Sequence, residues 1–367
     1  MPRLQSQKNM RNKSKIPNKT EEKILIVDST LRDGSHAMKH QFTVEHISQY
    51  ARGAENAGIE ILMVGHGNGL GASSMQLGLS LLSDKEMLMT AKKELKKTKL
   101  GVFLIPGFGT IKNDIAPALS LGVDILMIGC HCTEANITRQ HIQYGVKKGI
   151  KTYGVLMMSH MITAKELLEE ALKMEEYGAS GVLLMDSAGA YLPDDVTDKI
   201  ETLVDGLTID VGFHAHNNLG MAVSNSVIAV KAGATILDTT SRGLGAGAGN
   251  CQMEVVVAVL QKMGIKTGLD LYALMDVSEN IITKIMEKPQ EINLITLTSG
   301  LAGVFSGFAP HAEKASKKFG VDVRNILIEL GKRKVVGGQE DIILDVAMNL
   351  KQKLTKKDTD FQIESLL

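Results

Sequence analysis

From residue 23 onward, short apolar runs alternate with longer stretches in which apolar and polar residues recur with a helical period. Most of the short runs are apolar at nearly every position, which is typical of strands that are buried on both faces of a parallel sheet. We predict eight such strands, at residues 24–28, 59–64, 100–105, 123–128, 152–157, 181–185, 208–213 and 235–238.

Amphipathic stretches between the strands predict helices. Three of them end close to a glycine, Gly58, Gly178 or Gly233, and a glycine just beyond the last turn is a common stop signal. The alternation of strand and helix across residues 23–267 predicts an α/β fold, a TIM (β/α)8 barrel. A doubly wound open sheet produces the same alternation and is the alternative. The clearest helices are predicted at residues 44–57, 84–97, 164–177 and 222–231.

The alternation ends near residue 268. Residues 270–288 and 312–353 have a helical pattern, so we assign residues 268–350 to a helical C-terminal domain. The charged stretch 351–367 is expected to be a flexible tail. At the other end, six basic residues precede the first acidic one, and residues 1–22 are expected to form a disordered basic tail. A nucleic-acid-binding arm or a transit peptide are the alternatives for this tail.

Composition narrows the functional class. The chain has 367 residues with 41 basic and 41 acidic side chains, and this balance argues against a nucleic-acid-binding protein. Three cysteines in a chain of this length do not make a disulfide framework, so we expect a cytoplasmic protein. No apolar run reaches the roughly 18 residues of a membrane span. Aromatic residues make up only 4%, which predicts an aliphatic core.

Polar side chains with metal-binding chemistry follow the first and the seventh predicted strands, and TIM-barrel active sites lie at such strand ends. Asp33 follows the first strand, and His214 and His216 follow the seventh. Residues i and i+2 of a strand share a face, so both imidazoles are expected to point into the barrel mouth. Two imidazoles and one carboxylate suit Mn²⁺, Fe²⁺, Co²⁺ or Zn²⁺ better than Mg²⁺. A His-x-His pair alone would be weak support for a metal site, and the position of Asp33 after the first strand strengthens that support.

Arg32 and His36 flank the predicted metal ligand of the first strand. The planar charge of Arg32 suits a carboxylate or a developing enolate oxygen. An ordinary salt bridge to Asp28 or Asp33 is the alternative. His36 is a candidate general base because an imidazole titrates near neutral pH. A histidine in a surface loop is the alternative for this residue.

Three further segments follow predicted strands. Ser187 follows the sixth strand and either donates to a substrate carboxylate or caps the next helix. A glycine-rich loop after the eighth strand ends at Asn250, which we expect near the metal. Cys130, His131 and Cys132 follow the fourth strand. Because no second cysteine pair completes a zinc site, we expect them to be structural or to line the substrate site.

In combination, these motifs resemble the 4-hydroxy-2-oxovalerate aldolases, which are class II pyruvate aldolases of the hydroxymethylglutaryl-CoA lyase-like superfamily. The resemblance extends over about residues 23–350, in order and at similar spacing. It rests on the segments Leu-Arg32-Asp33-Gly-Ser-His36, His131-Cys-Thr-Glu-Ala, His214-Ala-His216-Asn-Asn, Gly243-Leu-Gly-Ala-Gly-Ala-Gly-Asn250 and Gly337-Gly-Gln-Glu-Asp.

This resemblance implies a barrel with a helical communication domain and a site that uses Mn²⁺, with Co²⁺ as another option. The substrate would be a small 2-oxoacid, and the partner an acylating aldehyde dehydrogenase that receives the aldehyde through a channel. We also expect an oligomer. By position, the metal ligands would be Asp33, His214 and His216, with Arg32 stabilising the enolate, His36 as the base, and Ser187 and His131 contacting the substrate.

One segment departs from the family pattern. Leu301 and Phe305 stand where family members carry tyrosines, and the position of Leu301 is expected at the aldehyde end of the site. The metal chemistry would be unaffected, whereas the aldehyde and the stereochemistry would differ. Two other functions remain open: an acyl-CoA lyase or synthase of the same superfamily, and a catalytically silent barrel that steadies a dehydrogenase.

Overall fold

The computed structural model describes residues 23–364, so the predicted basic tail at residues 1–22 lies outside the described residues. Eight parallel strands form a closed barrel in which each strand pairs with its neighbours in the sequence. The fold is therefore a TIM barrel, as predicted. The strands are β1 Leu25–Leu31, β2 Ile61–Val64, β3 Lys99–Leu104, β4 Ile125–His131, β5 Lys151–Met157, β6 Gly181–Asp186, β7 Asp210–Ala215 and β8 Ile236–Thr239.

Pairing of β1 with β8 closes the barrel, with Leu25 opposite Ile236 and Asp28 opposite Thr239. This closure excludes the open doubly wound sheet. Several strands run further toward their carboxyl ends than their apolar runs do, because the polar residues that end them still pair in the sheet. Thus β4 includes His131, which pairs with Met157 of β5.

Helices cover the barrel and continue into the C-terminal domain. The helices α2, α3 and α6 each begin with a capping box, in which Thr43, Ser83 or Thr163 accepts from the backbone three residues later. The helices are α1 Gly34–Ala37, α2 Val44–Asn56, α3 Asp84–Glu94, α4 Ala116–Ser120, α5 Arg139–Lys147, α6 Ala164–Glu176, α7 Pro193–Gly206, α8 Ala222–Lys231, α9 Met253–Lys262, α10 Leu271–Val277, α11 Thr283–Ile285, α12 Leu294–Ala302, α13 Ala309–Phe319, α14 Val323–Lys332 and α15 Asp341–Glu364.

Three apolar clusters hold these elements together. One fills the barrel interior, where Val27, Met63 and Phe103 pack against each other from different strands. A larger cluster lies between the strands and the surrounding helices. The third belongs to the C-terminal helices and is centred on residues such as Phe308 and Ile326. The C-terminal helices therefore have a core of their own beside the barrel.

One helix of the C-terminal region, α12, lies outside the stretches for which helices are predicted, and it packs mainly against α14. The final helix, α15, continues from Asp341 to Glu364 and so includes most of the stretch for which a flexible tail is predicted. Within residues 23–364, no helix is both long and apolar enough to cross a lipid bilayer.

Candidate active site

The three predicted metal ligands meet at the carboxyl end of the barrel. Asp33 lies just beyond the end of β1, and His214 and His216 lie at the end of β7, on the same strand face. One candidate ligand atom from each residue lies within 4.8 Å of the other two. All three side chains are buried. The strand spacing thus brings together the carboxylate and the two imidazoles that the sequence analysis grouped.

Neighbouring groups orient the two imidazoles toward Asp33. His216 donates from Nδ1 to the carbonyl oxygen of Asp186 over 3.0 Å, which leaves Nε2 3.8 Å from Asp33 Oδ1. His214 Nδ1 lies 2.9 Å from Asp238 Oδ2, and its Nε2 lies 3.9 Å from Asp33 Oδ2. Both Nε2 atoms therefore face the carboxylate, as metal-binding nitrogens would.

The charge states also suit metal binding. Burial lowers the pKa of His216 to about 4, so its imidazole is neutral near pH 7. Burial alone would raise the pKa of Asp33, but the Arg32 guanidinium and the two histidines hold it well below its usual range. His214 Nε2 and Asn250 Oδ1 are buried and have no hydrogen-bond partner among the described residues. A carboxylate, two buried imidazoles and buried acceptor atoms that lack a hydrogen-bond partner together fit a divalent metal ion.

Arg32 is buried beside Asp33 and lies over the ring of Phe103. Its Nη1 donates to Asp33 Oδ2 at 2.6 Å, and its Nη2 lies 3.2 Å from Ser29 Oγ and 3.3 Å from Asp238 Oδ2. The salt bridge to Asp33 considered in the sequence analysis is therefore present. The guanidinium is also held in a fixed orientation at the barrel mouth, which is the arrangement that stabilises developing negative charge.

The glycine-rich loop after β8 supplies donors to the carboxylate. Asp33 Oδ1 accepts from the Ala246 backbone N–H at 3.1 Å and from Asn250 Nδ2 at 3.0 Å. Asn250 thus lies beside the candidate metal site, as expected. Gly247 has φ of +64°, and a Cβ there would lie 2.6 Å from the side-chain oxygen of Asn218. The close approach of this loop therefore requires glycine.

His36 lines a cavity of about 230 Å³ between the barrel mouth and the C-terminal helices. The residue is half-buried on α1, which excludes the alternative of a histidine in a surface loop. Burial lowers the pKa of His36, although nearby Asp33 opposes this shift. His40 lies edge-on to His36, with ring centroids 5.3 Å apart, and stacks on His66 at 3.7 Å. The candidate base is therefore packed against two other imidazoles.

Ser187 is fully buried at the end of β6. It does not cap the next helix, because α7 begins at Pro193 with Leu192 in the N-cap position. Its Oγ accepts the backbone N–H of Met158 at 2.9 Å, and this bond leaves the hydroxyl proton of Ser187 available to another acceptor. That arrangement agrees with the other role considered, donation to a substrate.

His131 lines the same cavity as His36, and its Nδ1 lies 2.8 Å from Thr133 Oγ1. Cys130 and Cys132 are buried free thiols, and Cys132 donates to the Met158 carbonyl. Among residues 23–364, these side chains do not form a metal-binding group. Cys130 lines the cavity together with His131.

Leu301 does not lie with the other predicted site residues. Its side chain is 75% exposed and borders a separate surface depression next to Leu192 and Lys199. Phe305 instead lines the cavity with His36. One turn of chain separates the two residues, but Leu301 lies on the exposed face of α12 whereas Phe305 follows the turn that ends this helix. Phe305 is therefore the residue at the site in this segment.

Asp238, His40 and His66 were missed as parts of the site. Asp238 ends an apolar run at the carboxyl end of β8, and that position is itself a signal for an active-site residue. His66 follows β2 in the same way. Its Nδ1 accepts from the Asn68 N–H at 3.0 Å and its Nε2 lies 3.1 Å from the Gly78 carbonyl oxygen, which fixes the ring.

Two family models match the chain. The HMGL-like model matches residues 23–281, and the model of the DmpG-like communication domain matches residues 290–352. The first range covers the barrel and the start of the helical region. The second covers α12 to α14 and half of α15, including Gly337 and Gly338, which line the cavity with Phe305.

Solved structures support the fold alone. The carboxyl transferase domain of Rhizobium etli pyruvate carboxylase matches 91% of this chain and 61% of that chain, with a TM-score of 0.77 and 16% identity. The N-terminal domain of a putative aldolase from Bacteroides vulgatus matches 82% of this chain and 99% of that chain, with a TM-score of 0.67 and 22% identity.

Curated relatives are much more similar in sequence. The 4-hydroxy-2-oxovalerate aldolase of Pectobacterium atrosepticum is 52% identical over 331 residues, which cover 90% of this chain and 96% of that protein. The 4-hydroxy-2-oxovalerate aldolase of Spirochaeta aurantia is 49% identical over 330 residues, which cover 90% of this chain and 97% of that protein. The chain therefore belongs to the 4-hydroxy-2-oxovalerate aldolase family, a group of carbon–carbon lyases within the HMGL-like proteins.

Proposed function

We propose that the protein is a divalent-metal-dependent aldolase that cleaves 4-hydroxy-2-oxoacids of the 4-hydroxy-2-oxovalerate type to pyruvate and an aldehyde. The observation that carries this proposal is the convergence of Asp33, His214 and His216 beside the buried guanidinium of Arg32. The names of the similar relatives agree with this substrate class.

Asp33, His214 and His216 would hold the metal, with Asn250 beside them. We propose Mn²⁺, with Co²⁺ as a substitute, because mixed nitrogen and oxygen ligands suit these ions. When bound, such an ion supplies Lewis-acid stabilisation of the negative charge that develops on the C2 oxygen of the substrate.

The protein side chains would perform the remaining steps. Neutral His36 takes the proton of the C4 hydroxyl group, the C3–C4 bond breaks, and its electron pair enters the C2–C3 enolate. The released carbonyl compound is the aldehyde, and protonation of the enolate at C3 gives pyruvate. Arg32 donates hydrogen bonds toward the enolate oxygen, and the Ser187 hydroxyl donates toward the substrate carboxylate. His131 borders the space that the aldehyde end would occupy.

We also propose that an acylating aldehyde dehydrogenase receives the aldehyde product. The match of residues 290–352 to a communication domain supports such a partner. The cavity supports it as well, because it extends from His36 to Gly337 and Gly338 on the C-terminal helices. Mixing the purified chain with such a dehydrogenase, followed by gel filtration, tests whether a stable complex forms.

The proposed reaction is tested by pyruvate release from a panel of 4-hydroxy-2-oxoacids, with Mn²⁺ added to metal-stripped protein. We expect release with Mn²⁺ and none with His214→Ala. His141→Ala on α5 is the matched control, because this histidine is absent from the metal group. Consumption of acyl-CoA esters instead would favour the lyase or synthase alternative, and loss of both activities would favour a silent barrel.

A further inference from the structure

Asp238 contacts both the candidate metal ligand His214 and the buried arginine Arg32 at the barrel mouth. It lies near the end of β8, is 2% exposed, and places Oδ2 2.9 Å from His214 Nδ1 and 3.3 Å from Arg32 Nη2. Within the part of the chain that the structure describes, its Oδ1 has no hydrogen-bond partner. A single carboxylate oxygen therefore lies between a candidate metal ligand and the candidate enolate-stabilising arginine.

The contact with His214 bears on which ring nitrogen carries the proton. The approach is oblique, so the contact is an electrostatic one rather than a well-aligned hydrogen bond. A carboxylate at 2.9 Å from Nδ1 still favours the tautomer protonated there, and this tautomer keeps the lone pair on Nε2. Nε2 is the nitrogen that faces Asp33. Carboxylates commonly orient metal-binding histidines in this way.

The contact with Arg32 bears on the direction of the guanidinium. Nη1 is held by Asp33, whereas Nη2 lies near Asp238 and Ser29. Two anchored ends fix the plane of a guanidinium, which a single ion pair would leave free to turn. The buried positive charge is also balanced by Asp238, a carboxylate that would not itself be a metal ligand.

We propose that Asp238 is a positioning residue that aims the Nε2 lone pair of His214 and the guanidinium of Arg32 at the same reaction site. This inference rests on the proposed function, since it assigns His214 to the metal and Arg32 to the enolate. Asp238 itself would contact neither the metal nor the enolate, so its effect is exerted through the side chains of His214 and Arg32.

Asp28 provides a matched control on the adjacent strand. It is also a fully buried carboxylate, but its partners are the hydroxyl and N–H groups of Thr30 and the hydroxyl group of Tyr50. These contacts join β1 to α2 and involve neither His214 nor Arg32. Asp28→Asn therefore changes a buried charge near the site without changing the proposed positioning contacts.

The test compares Mn²⁺ affinity, measured from free Mn²⁺ by electron paramagnetic resonance, in the full-length chain and in Asp238→Asn and Asp28→Asn. We expect Asp238→Asn to bind Mn²⁺ about 10–100-fold more weakly, as for other residues that orient metal ligands. It should also slow the exchange of the methyl protons of pyruvate with solvent. Asp28→Asn should bind Mn²⁺ as the unsubstituted chain does.

Each outcome decides a different point. If the unsubstituted chain neither binds Mn²⁺ nor exchanges pyruvate protons, the proposed function fails and this inference fails with it. If the unsubstituted chain binds Mn²⁺ and exchanges pyruvate protons, and Asp238→Asn has the same Mn²⁺ affinity and exchange rate as Asp28→Asn, only the role of Asp238 is overturned. If Asp238→Asn does not fold, ¹⁵N spectra of the unsubstituted protein with labelled histidines decide the point by showing which ring nitrogen of His214 carries the proton. A proton on Nδ1 of His214 supports the role, and a proton on Nε2 overturns it.

Discussion

Substitution of Arg32 separates its catalytic contribution from its structural one. Arg32 is 2% exposed, and its guanidinium donates to Asp33 at 2.6 Å and lies within 3.3 Å of Ser29 and Asp238. Arg32→Lys keeps the positive charge between the two carboxylates, but one ammonium group does not reproduce the planar fork. Arg32→Ala removes the charge and leaves Asp33 and Asp238 buried without it.

The two variants should therefore differ more in stability than in catalysis. Loss of a preorganised donor to the enolate oxygen is expected to reduce kcat by about 10²–10³ in both variants. Removing one partner of a buried ion pair costs about 3–5 kcal/mol, and this penalty applies to Arg32→Ala. Arg32→Lys loses hydrogen bonds but not the charge balance, so its destabilisation should be roughly 1–3 kcal/mol.

Pyruvate release with saturating Mn²⁺ gives kcat, and urea unfolding of the same samples gives the free energy of unfolding. We expect Arg32→Lys to be folded, to bind Mn²⁺ and to be nearly inactive. If Arg32→Lys retained the kcat of the unsubstituted chain, a fixed guanidinium would not be needed and the proposed role of Arg32 would be refuted.

Three other predictions follow from the surroundings of the site. His36→Asn should lower kcat by about 10²–10⁴ while leaving Mn²⁺ affinity unchanged, since the base lies outside the ligand set; weaker Mn²⁺ binding would contradict this separation. Burial lowers the pKa of His66 from 6.5 to about 4, so the unfolded state binds more protons between these values. The free energy of unfolding should therefore fall as the pH drops from 6.5 to 4, and less steeply in His66→Gln. Phe305→Tyr should shift the preference between short and long aldehydes by about 10-fold, whereas exposed Leu301→Tyr should not; equal effects would contradict the revised placement.

The barrel was predictable because its strands are continuously apolar and its helices carry capping and stop signals. The ends of the strands were less predictable, because polar residues such as His131 continue the pairing of β4 with β5. Helix α12 was missed for a different reason. Its turns combine Thr296, Thr298 and Gly300 with leucines, several of which are exposed, so its sequence lacks a clear apolar face.

The site was predictable where chain order and strand spacing determine geometry. His214 and His216 share a strand face, and Asp33 follows the strand that meets β8 at the barrel closure. Leu301 lies in α12 whereas Phe305 follows the end of that helix, and residue spacing alone does not determine which of the two side chains faces the cavity. Asp238 was missed because its importance comes from contacts with residues distant in the sequence.

The most direct test of the account is the activity of the chain before and after its metal is removed. Protein stripped by a chelator should release no pyruvate from 4-hydroxy-2-oxovalerate. One equivalent of Mn²⁺ per chain should restore release, and Asp33→Asn should not respond to that addition. Undiminished pyruvate release from protein shown by elemental analysis to contain no divalent metal would contradict the central claim.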